Sequence, residues 1–403
     1  MNNYFYGKAG QADYTVEQMP TTRKQLFFTT LKVRFSSMIG INLLHFLFML
    51  PLLIWLFLGF ETLSIYFGID ETTAPEYKER LRQVAPEVVS EYDAYAELDK
   101  GFQAIIDKYE TDEQISAAFT ESGAITAQTT NTETGEVTTY TYTAQEWDTL
   151  KTSRAEHYKN YYNLLAQERN GNITTTLLIA IPLFMIASVG RPGMMYVLRN
   201  WARDDHSFVW QDYKAAIKDN WKQSLPLGFL NGLSFLLFFI AWVTYGNMAN
   251  NSWFFAIPQG LMVVLLVIWW MMNELIYVMM VTYDMKFGQL IKNSIIMAIA
   301  RLPIAFLILL GTVAFPLLLS FLPAPYSLLA LLVVYLLIGF AFVGFVQASF
   351  ANSCFDKYLN PRIEGAEVNK GLYNPDSEDE QKQDEPEPEN LVKEDRYWEH
   401  KTK

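Results

Sequence analysis

Long apolar runs are the feature that most constrains this chain. They extend from Met38 to Phe60 and from Leu225 to Phe350, and only short polar segments interrupt the second run. A run of about 20 apolar residues is long enough for a helix to cross a bilayer. Of all residues, 51% are hydrophobic and 18% are charged, whereas soluble domains average about 25% charge. The sequence therefore excludes a single soluble domain and predicts an all-α polytopic membrane protein.

We predict six transmembrane helices from these runs. The second span is interrupted by Gly190-Arg191-Pro192-Gly193, and we expect this run either to kink the helix or to end it. The six predicted spans are Met38–Phe60, Thr174–Leu198, Leu225–Thr244, Ile257–Thr282, Ile304–Phe321 and Leu328–Phe350.

Basic residues between the spans predict the orientation. They lie before the first span, between the second and third, and between the fourth and fifth, while the loops Tyr245–Ala256 and Leu322–Ser327 contain none. Basic loops stay in the cytoplasm, so we expect both termini inside and residues 70–171 outside. The predicted parts are a cytoplasmic N-terminal segment (1–35), a first span (36–69), an acidic extracytoplasmic insert (70–171), a transmembrane body with two cytoplasmic amphipathic helices (172–355), and an acidic, disordered cytoplasmic tail (356–403).

Charge and cysteine usage exclude several classes of protein. The net charge is −12, and the segment from Asp70 to Arg169 alone holds 20 acidic and 9 basic residues. Acidic soluble parts argue against nucleic-acid binding, which needs a basic surface. Cys354 is the only cysteine and the four histidines show no ligand spacing, so we expect no disulfide scaffold, no metal site and no cofactor.

The insert has the pattern of a small α+β unit. Glu76–Phe119 is rich in helix formers, although Pro86 is expected to bend or split that helix. Ala124–Thr143 alternates Thr, Tyr and Val with polar residues around Thr134-Gly135, which predicts a β-hairpin. Thr143-Ala144-Gln145-Glu146 is a capping box that opens a helix running towards the second span. The insert is thus predicted to be helix, hairpin, helix.

Glu274 is the most informative polar residue. We find no phosphate loop, metal motif or Ser-His-Asp spacing, so we expect no enzymatic activity. Glu274 lies about 12 Å inside the end of the fourth span at roughly 1.5 Å per residue, where a charge must be paired or protonated. It is a candidate substrate, ion or proton site with Arg191 as its partner. The alternatives are a Glu that locks two helices and an Arg that binds lipid phosphate.

Three further polar residues in the spans complete this candidate site. Asn42 and His45 are three residues apart and share a helix face, and Asn231 lies in the third span. They either line a polar cavity or form hydrogen bonds between helices, and the second alternative is favoured.

An amphipathic helix precedes the third span. Asp212 and the lysines at 214, 218 and 222 fall on its polar side. Such a helix lies at the membrane interface, and we predict that it forms a cytoplasmic contact surface. The apolar face of this helix contains Trp210, Tyr213, Ile217 and Trp221.

Several stretches resemble a known family. They are Asn42-Leu43-Leu44 with Pro51, Gly190–Asp205 (GRPGMMYVLRNWARDD) with the following FVWQDYKAAIKDNWKQS, and Val281–Pro303 (VTYDMKFGQLIKNSIIMAIARLP). Together they resemble the YesL-like bacterial integral membrane proteins, a domain of unknown function, over residues 36–60 and 185–355. The insert departs from the pattern of that family, whose members have only a short connection in place of the segment between Pro51 and Gly190. The resemblance implies no established chemistry; such proteins are often encoded near carbohydrate-uptake transporters and sugar-degrading enzymes.

The resemblance favours an accessory or regulatory component of carbohydrate (ABC-type) uptake in the plasma membrane of a Gram-positive bacterium. The expected partners are the lipid bilayer, a transporter permease or a solute-binding protein, and a second copy of the chain. Two other functions stay open. In the first alternative, the chain is a transporter in its own right, with a path along Glu274 and Arg191. In the second, it is a sensor whose insert binds a ligand.

Overall fold

The structure, a computed structural model, describes residues 19–65, 75–109, 111–130, 135–323 and 326–373. These residues are mostly helical and contain one two-stranded sheet. The chain divides into two compact units. The first unit comprises residues 1–48, 188–225 and 264–403, and the second comprises residues 49–187 and 226–263.

Six helices in the described part of the chain are long and apolar enough to cross a membrane, judged by length and composition alone. Each overlaps one predicted span, which confirms the number and the approximate positions of the apolar helices. These helical stretches are Arg23–Leu63, Ala144–Trp201, Val209–Ala249, Trp253–Met280, Leu302–Ser320 and Tyr326–Arg362.

Between the first two long helices, the described residues form three helices and a hairpin. After α1 (Arg23–Ser64) come α2 (Pro75–Val84), α3 (Pro86–Tyr109) and α4 (Asp112–Ser122). Pro86 splits the predicted helix as expected, because a proline fits the first turn of a helix but not its interior. A second break at Thr111 was missed. Thr111 is an extended N-cap whose Oγ1 accepts a hydrogen bond from Gln114 N at 3.3 Å.

The predicted hairpin is confirmed. Strands β1 (Ala124–Thr130) and β2 (Val137–Thr143) are antiparallel, with Ala124 opposite Thr143. Gly135 has a φ of 69°, a left-handed conformation that suits glycine in a turn, while Thr134 lies outside the described residues. Ile125 and Ala127 are buried against α3 and α5, in a core that also contains Ile105 and Trp147.

The predicted capping box opens α5 (Ala144–Trp201). Thr143 N donates to Glu146 Oε2 at 2.8 Å, and Glu146 N donates to Thr143 Oγ1 at 3.3 Å. The helix then continues for 58 residues to Trp201. The Gly190–Gly193 run therefore does not end the helix. Gly193 of this run allows close packing, because a Cβ at that position would lie 2.8 Å from the Tyr213 carbonyl oxygen.

The centre of the first unit is the second half of α7. Helix α6 (Val209–Ala249) is continuous through Pro226 and leads by a 3₁₀ turn (Trp253–Phe255) into α7 (Ala256–Met280). All ten residues from Met271 to Met280 are buried, whereas Leu261 and Val264 are exposed. A helix that is buried on every side is a core element.

The remaining chain completes the first unit. Helices α8 (Phe287–Ala300) and α9 (Leu302–Ser320) are followed by α10 (Tyr326–Val334), a π-helix (Tyr335–Gly339) and α11 (Phe340–Tyr358). Within the described residues, the last helical element is the 3₁₀ turn Asn360–Arg362.

The segment predicted as a disordered tail begins inside α11. Asp356 forms an ion pair with Arg23, and Tyr373 N donates to the Pro20 carbonyl oxygen at 2.9 Å. Defined contacts therefore continue as far as Tyr373. Residues 374–403 of the predicted tail lie outside the described residues.

The capping box yields a test of the second unit. Thr143→Ala removes the hydroxyl at the start of α5, and the loss of such a cap costs about 1 kcal/mol. Amides in the first turn of α5 should then exchange with deuterium about fivefold faster than in the wild type, since 1.4 kcal/mol is about tenfold. Thr152→Ala is the control, because its hydroxyl bonds only to the Asp148 carbonyl inside the same helix. Equal acceleration in both variants would contradict the capping role.

Candidate functional site

Glu274, Arg191 and Gln347 come together inside the first unit, from α7, α5 and α11. Arg191 Nη2 donates to Gln347 Oε1 at 2.9 Å, and its guanidinium carbon lies 5.0 Å from the centre of the Tyr277 ring. Glu274 is only 2% exposed. Arg191 is near enough to attract its carboxylate, but neither oxygen of Glu274 has a hydrogen-bond partner among the described residues. Arg191 and Glu274, which the sequence predicted as partners, are therefore neighbours that share no hydrogen bond.

Asn42 binds the π-helix that precedes α11. Its side-chain amide donates to the carbonyl oxygens of Tyr335 and Leu336 at 2.8 and 2.7 Å, and its oxygen accepts from Ala341 N at 2.9 Å. A π-helix shifts the backbone ladder by one residue and leaves peptide groups without their usual partners. Asn42, which is fully buried, thus forms hydrogen bonds between helices, the alternative favoured by the sequence.

His45 lies beside this contact, whereas Asn231 belongs to the second unit. The His45 ring is fully buried and meets Phe340 edge to face, with 5.7 Å between ring centres. Arg191 is again an electrostatic neighbour. The backbone carbonyl of Asn231 accepts from Ser234 Oγ at 2.7 Å within α6. The structure therefore brings four of the five predicted residues into one unit.

The predicted contact face of α6 is divided between core and surface. Tyr213 is 2% exposed and packs on Gly193, and Ile217 is half-buried. Trp210 and Trp221 instead point outward, with exposed fractions of 58% and 43%. Lys214 lies 5.3 Å from the Trp210 ring and Lys222 lies 5.9 Å from the Trp221 ring. These two tryptophans and two lysines form an aromatic and basic part of the exposed surface of α6, and we call the four residues the tryptophan–lysine surface.

The sequence analysis missed a polar network at the end of α5. Lys370 Nζ lies 3.2 Å from Asp205 Oδ1 and 2.6 Å from Glu367 Oε2. The hydrogen bond with Glu367 raises the pKa of Lys370. Asp205 also lies 3.8 Å from Arg203. The network was missed because residues 356–403 were assigned to a disordered tail. The sequence did contain one indication of local structure there, since Glu367 and Lys370 carry opposite charges and are three residues apart.

Tyr283 extends the network to the end of α11. Its hydroxyl donates to Asn360 Oδ1 at 2.6 Å, and the Asn360 amide donates to Asp356 Oδ1 at 2.7 Å. Burial raises the pKa of the Tyr283 hydroxyl. These bonds hold the α7–α8 loop against the segment after α11.

Two cavities flank the polar network. One of about 510 Å³ is lined by apolar residues such as Leu26 and Leu372 together with Arg34, Trp201 and Asp204. The other, of about 420 Å³, is lined mainly by polar residues that include Arg199 and Tyr283. Neither cavity is lined by Glu274. Within the described residues, no group of three or more His, Cys, Asp or Glu side chains is placed to hold a metal ion.

These features define a helical protein with six helices of membrane-spanning length and a buried polar cluster. A family model described as a protein of unknown function, DUF624, matches residues 172–242. The match contains Arg191, Asn231 and the tryptophan–lysine surface, and it ends before Glu274. No curated protein and no solved structure matches the chain. The similarity therefore relates this segment to an uncharacterised family.

The proximity of Arg191 and Glu274 predicts an energetic coupling. Glu274→Leu and Arg191→Met each remove one of two neighbouring buried polar groups, and both should lower the thermal unfolding temperature in detergent. The double variant should be more stable than the sum of the single effects by about 1–3 kcal/mol. The control pair is Glu274→Leu with Arg23→Met, because Arg23 pairs with Asp356 instead. Simple additivity in the Arg191–Glu274 pair would show that the two side chains do not interact.

Proposed function

We propose that the chain is a multi-pass membrane protein of the YesL-like kind in a bacterial plasma membrane. The support is the six helices of membrane-spanning length, the match of residues 172–242 to an uncharacterised family, and the family-like stretches outside that match. In this proposal both termini are cytoplasmic and residues 70–171 are extracytoplasmic, because the basic loops lie between the second and third and between the fourth and fifth long helices.

We further propose that the protein acts through contacts, as an accessory or regulatory component of a carbohydrate (ABC-type) uptake system. The observation that carries this proposal is the tryptophan–lysine surface. Trp210 and Trp221 are exposed although Tyr213, on the same helix, is buried. Exposed tryptophan beside lysine suits the cytoplasmic interfacial region of a bilayer, and exposed tryptophan suits the contact surface of a protein partner. The carbohydrate-uptake part rests on the family resemblance.

The polar residues of the long helices support a contact function as well. Asn42 uses its amide in three bonds, two to carbonyl oxygens of the π-helix and one to the first turn of α11, and Gln347 accepts from Arg191. Side chains committed in this way hold helices together and are not available to line an aqueous path. A transporter is the second candidate, and Glu274 is the observation that favours it, because its buried carboxylate has no hydrogen-bond partner in the described structure.

Copurification from the native host tests the proposal. Extraction in a mild detergent followed by mass spectrometry should recover a transporter permease in stoichiometric amount with the wild-type chain. The double variant Trp210→Ala/Trp221→Ala should reduce that recovery at least tenfold, since it removes both exposed rings of the tryptophan–lysine surface.

Trp253→Ala is the matched control, because Trp253 is also exposed, at 76%, but lies in the turn between α6 and α7. Its recovery should equal that of the wild type. Purification of the wild-type chain without any permease would overturn the accessory function, and equal loss in both variants would remove the role of the tryptophan–lysine surface.

A further inference from the structure

The hairpin has two edges, and one of them is closed by side chains. Along β1, Ser122 Oγ donates to the Ala124 carbonyl oxygen at 2.6 Å, and Lys108 Nζ donates to the Thr126 carbonyl oxygen. Helices α3 and α4 also pack against this strand. Two outward carbonyls of the β1 edge, those of Ala124 and Thr126, are therefore already occupied.

These bonds show which backbone groups of β2 point outward. In an antiparallel pair the N–H and C=O of one residue point to the same side, and the side alternates along the strand. Ala124 and Thr126 point away from β2, so their opposite residues, Thr143 and Thr141, point away from β1. Thr143 N accordingly donates to Glu146 instead of joining the ladder. By the same alternation, the backbone groups of Val137, Thr139 and Thr141 face outward.

Side-chain contacts agree with this assignment. The hydroxyl oxygens of Thr126 and Thr141 lie 3.2 Å apart, and Gln128 Nε2 donates to Thr139 Oγ1 at 3.2 Å. Opposite residues that do not exchange backbone hydrogen bonds have the closer side chains. Among the described residues, no hydrogen bond reaches the outward backbone groups of Val137, Thr139 and Thr141. The β2 edge is thus open.

The open edge lacks the usual protection against pairing. Natural edge strands carry charged residues, prolines or bulges that discourage another strand. Strand β2 reads VTTYTYT and contains neither a charge nor a proline, although the segment from Asp70 to Arg169 holds 20 acidic and 9 basic residues. Val137, Thr139 and Thr141 are all exposed and are β-branched, as suits a paired strand.

We propose that the β2 edge pairs with β2 of a second copy of the chain. The three outward residues are symmetric about Thr139, so an antiparallel pair centred there places Thr139 opposite Thr139 and Val137 opposite Thr141. All outward groups of the three residues are then bonded, and the two hairpins form one four-stranded sheet. The interface is isologous, as a two-fold dimer requires.

Charge restricts where two copies can meet. Two acidic segments repel each other over most of their surface, and like charges directly opposite on paired strands are destabilising. The β2 edge is a strip on which two copies meet without opposing carboxylates. This dimer is independent of the proposed accessory function, since the tryptophan–lysine surface lies on α6 and not on the hairpin.

Cysteine cross-linking in native membranes tests the proposed pairing. The Cα atoms of two paired residues lie about 5.5 Å apart, within the range that a disulfide spans. Thr139→Cys should therefore give a covalent species of twice the chain mass when an oxidant is added. Gln128→Cys is the matched control on β1, three strand spacings from its symmetry mate at about 14 Å. Cys354, the one native cysteine, is buried and adds no background.

A proline variant gives a readout that does not depend on cysteine. Thr139→Pro removes an N–H that faces outward, so the hairpin itself keeps its ladder. In detergent the wild-type chain should sediment as a dimer and Thr139→Pro as a monomer, with unfolding temperatures within 2 °C of each other. The proposal is overturned by a wild-type monomer, by equal cross-linking of the two cysteine variants, or by cross-linking of Thr139→Cys to a different protein.

Discussion

Some backbone N–H and C=O groups in the apolar interior lack their usual hydrogen-bond partner in the helix. The structure depends on side chains that supply these groups with other partners. An unpaired peptide group is costly wherever water cannot reach it. The π-helix at Tyr335–Gly339 creates such groups, and Asn42 of α1 binds three of them. One side chain thereby attaches the first long helix to the last, and it fixes the position of His45 one turn further along.

Pro192 creates the same requirement in α5. Proline has no N–H, so the carbonyl of Ser188, four residues earlier, loses its helical partner. Ser224 of α6 donates its hydroxyl to that carbonyl, and Ser188 Oγ donates in return to the Ser224 carbonyl oxygen at 2.8 Å. The proline therefore strengthens the contact between α5 and α6 instead of ending α5. Arg191, the next residue towards the N-terminus, is held in reach of Gln347 and Glu274 as a result.

Local patterns in the sequence predicted much of the fold. Apolar runs placed the six long helices, and Thr143-Ala144-Gln145-Glu146 placed the start of α5, because both signals act between residues close in sequence. The π-helix, the reach of Asn42 to residues about 300 positions away and the network of Lys370 with Asp205 depend on contacts distant in sequence. Periodicity grouped Trp210 with Tyr213, but it could not show which of them faces the core.

The polar side chains of the long helices hold the structure together, and we propose that the protein works through its surfaces. Glu274 is the residue most able to contradict that view, so water access to its position is the decisive measurement. Glu274→Cys should react with a small water-soluble thiol reagent at less than a tenth of the rate of Ser252→Cys, whose position is exposed in the loop after α6. Equally fast labelling of both variants would reveal an aqueous path and favour a transporter.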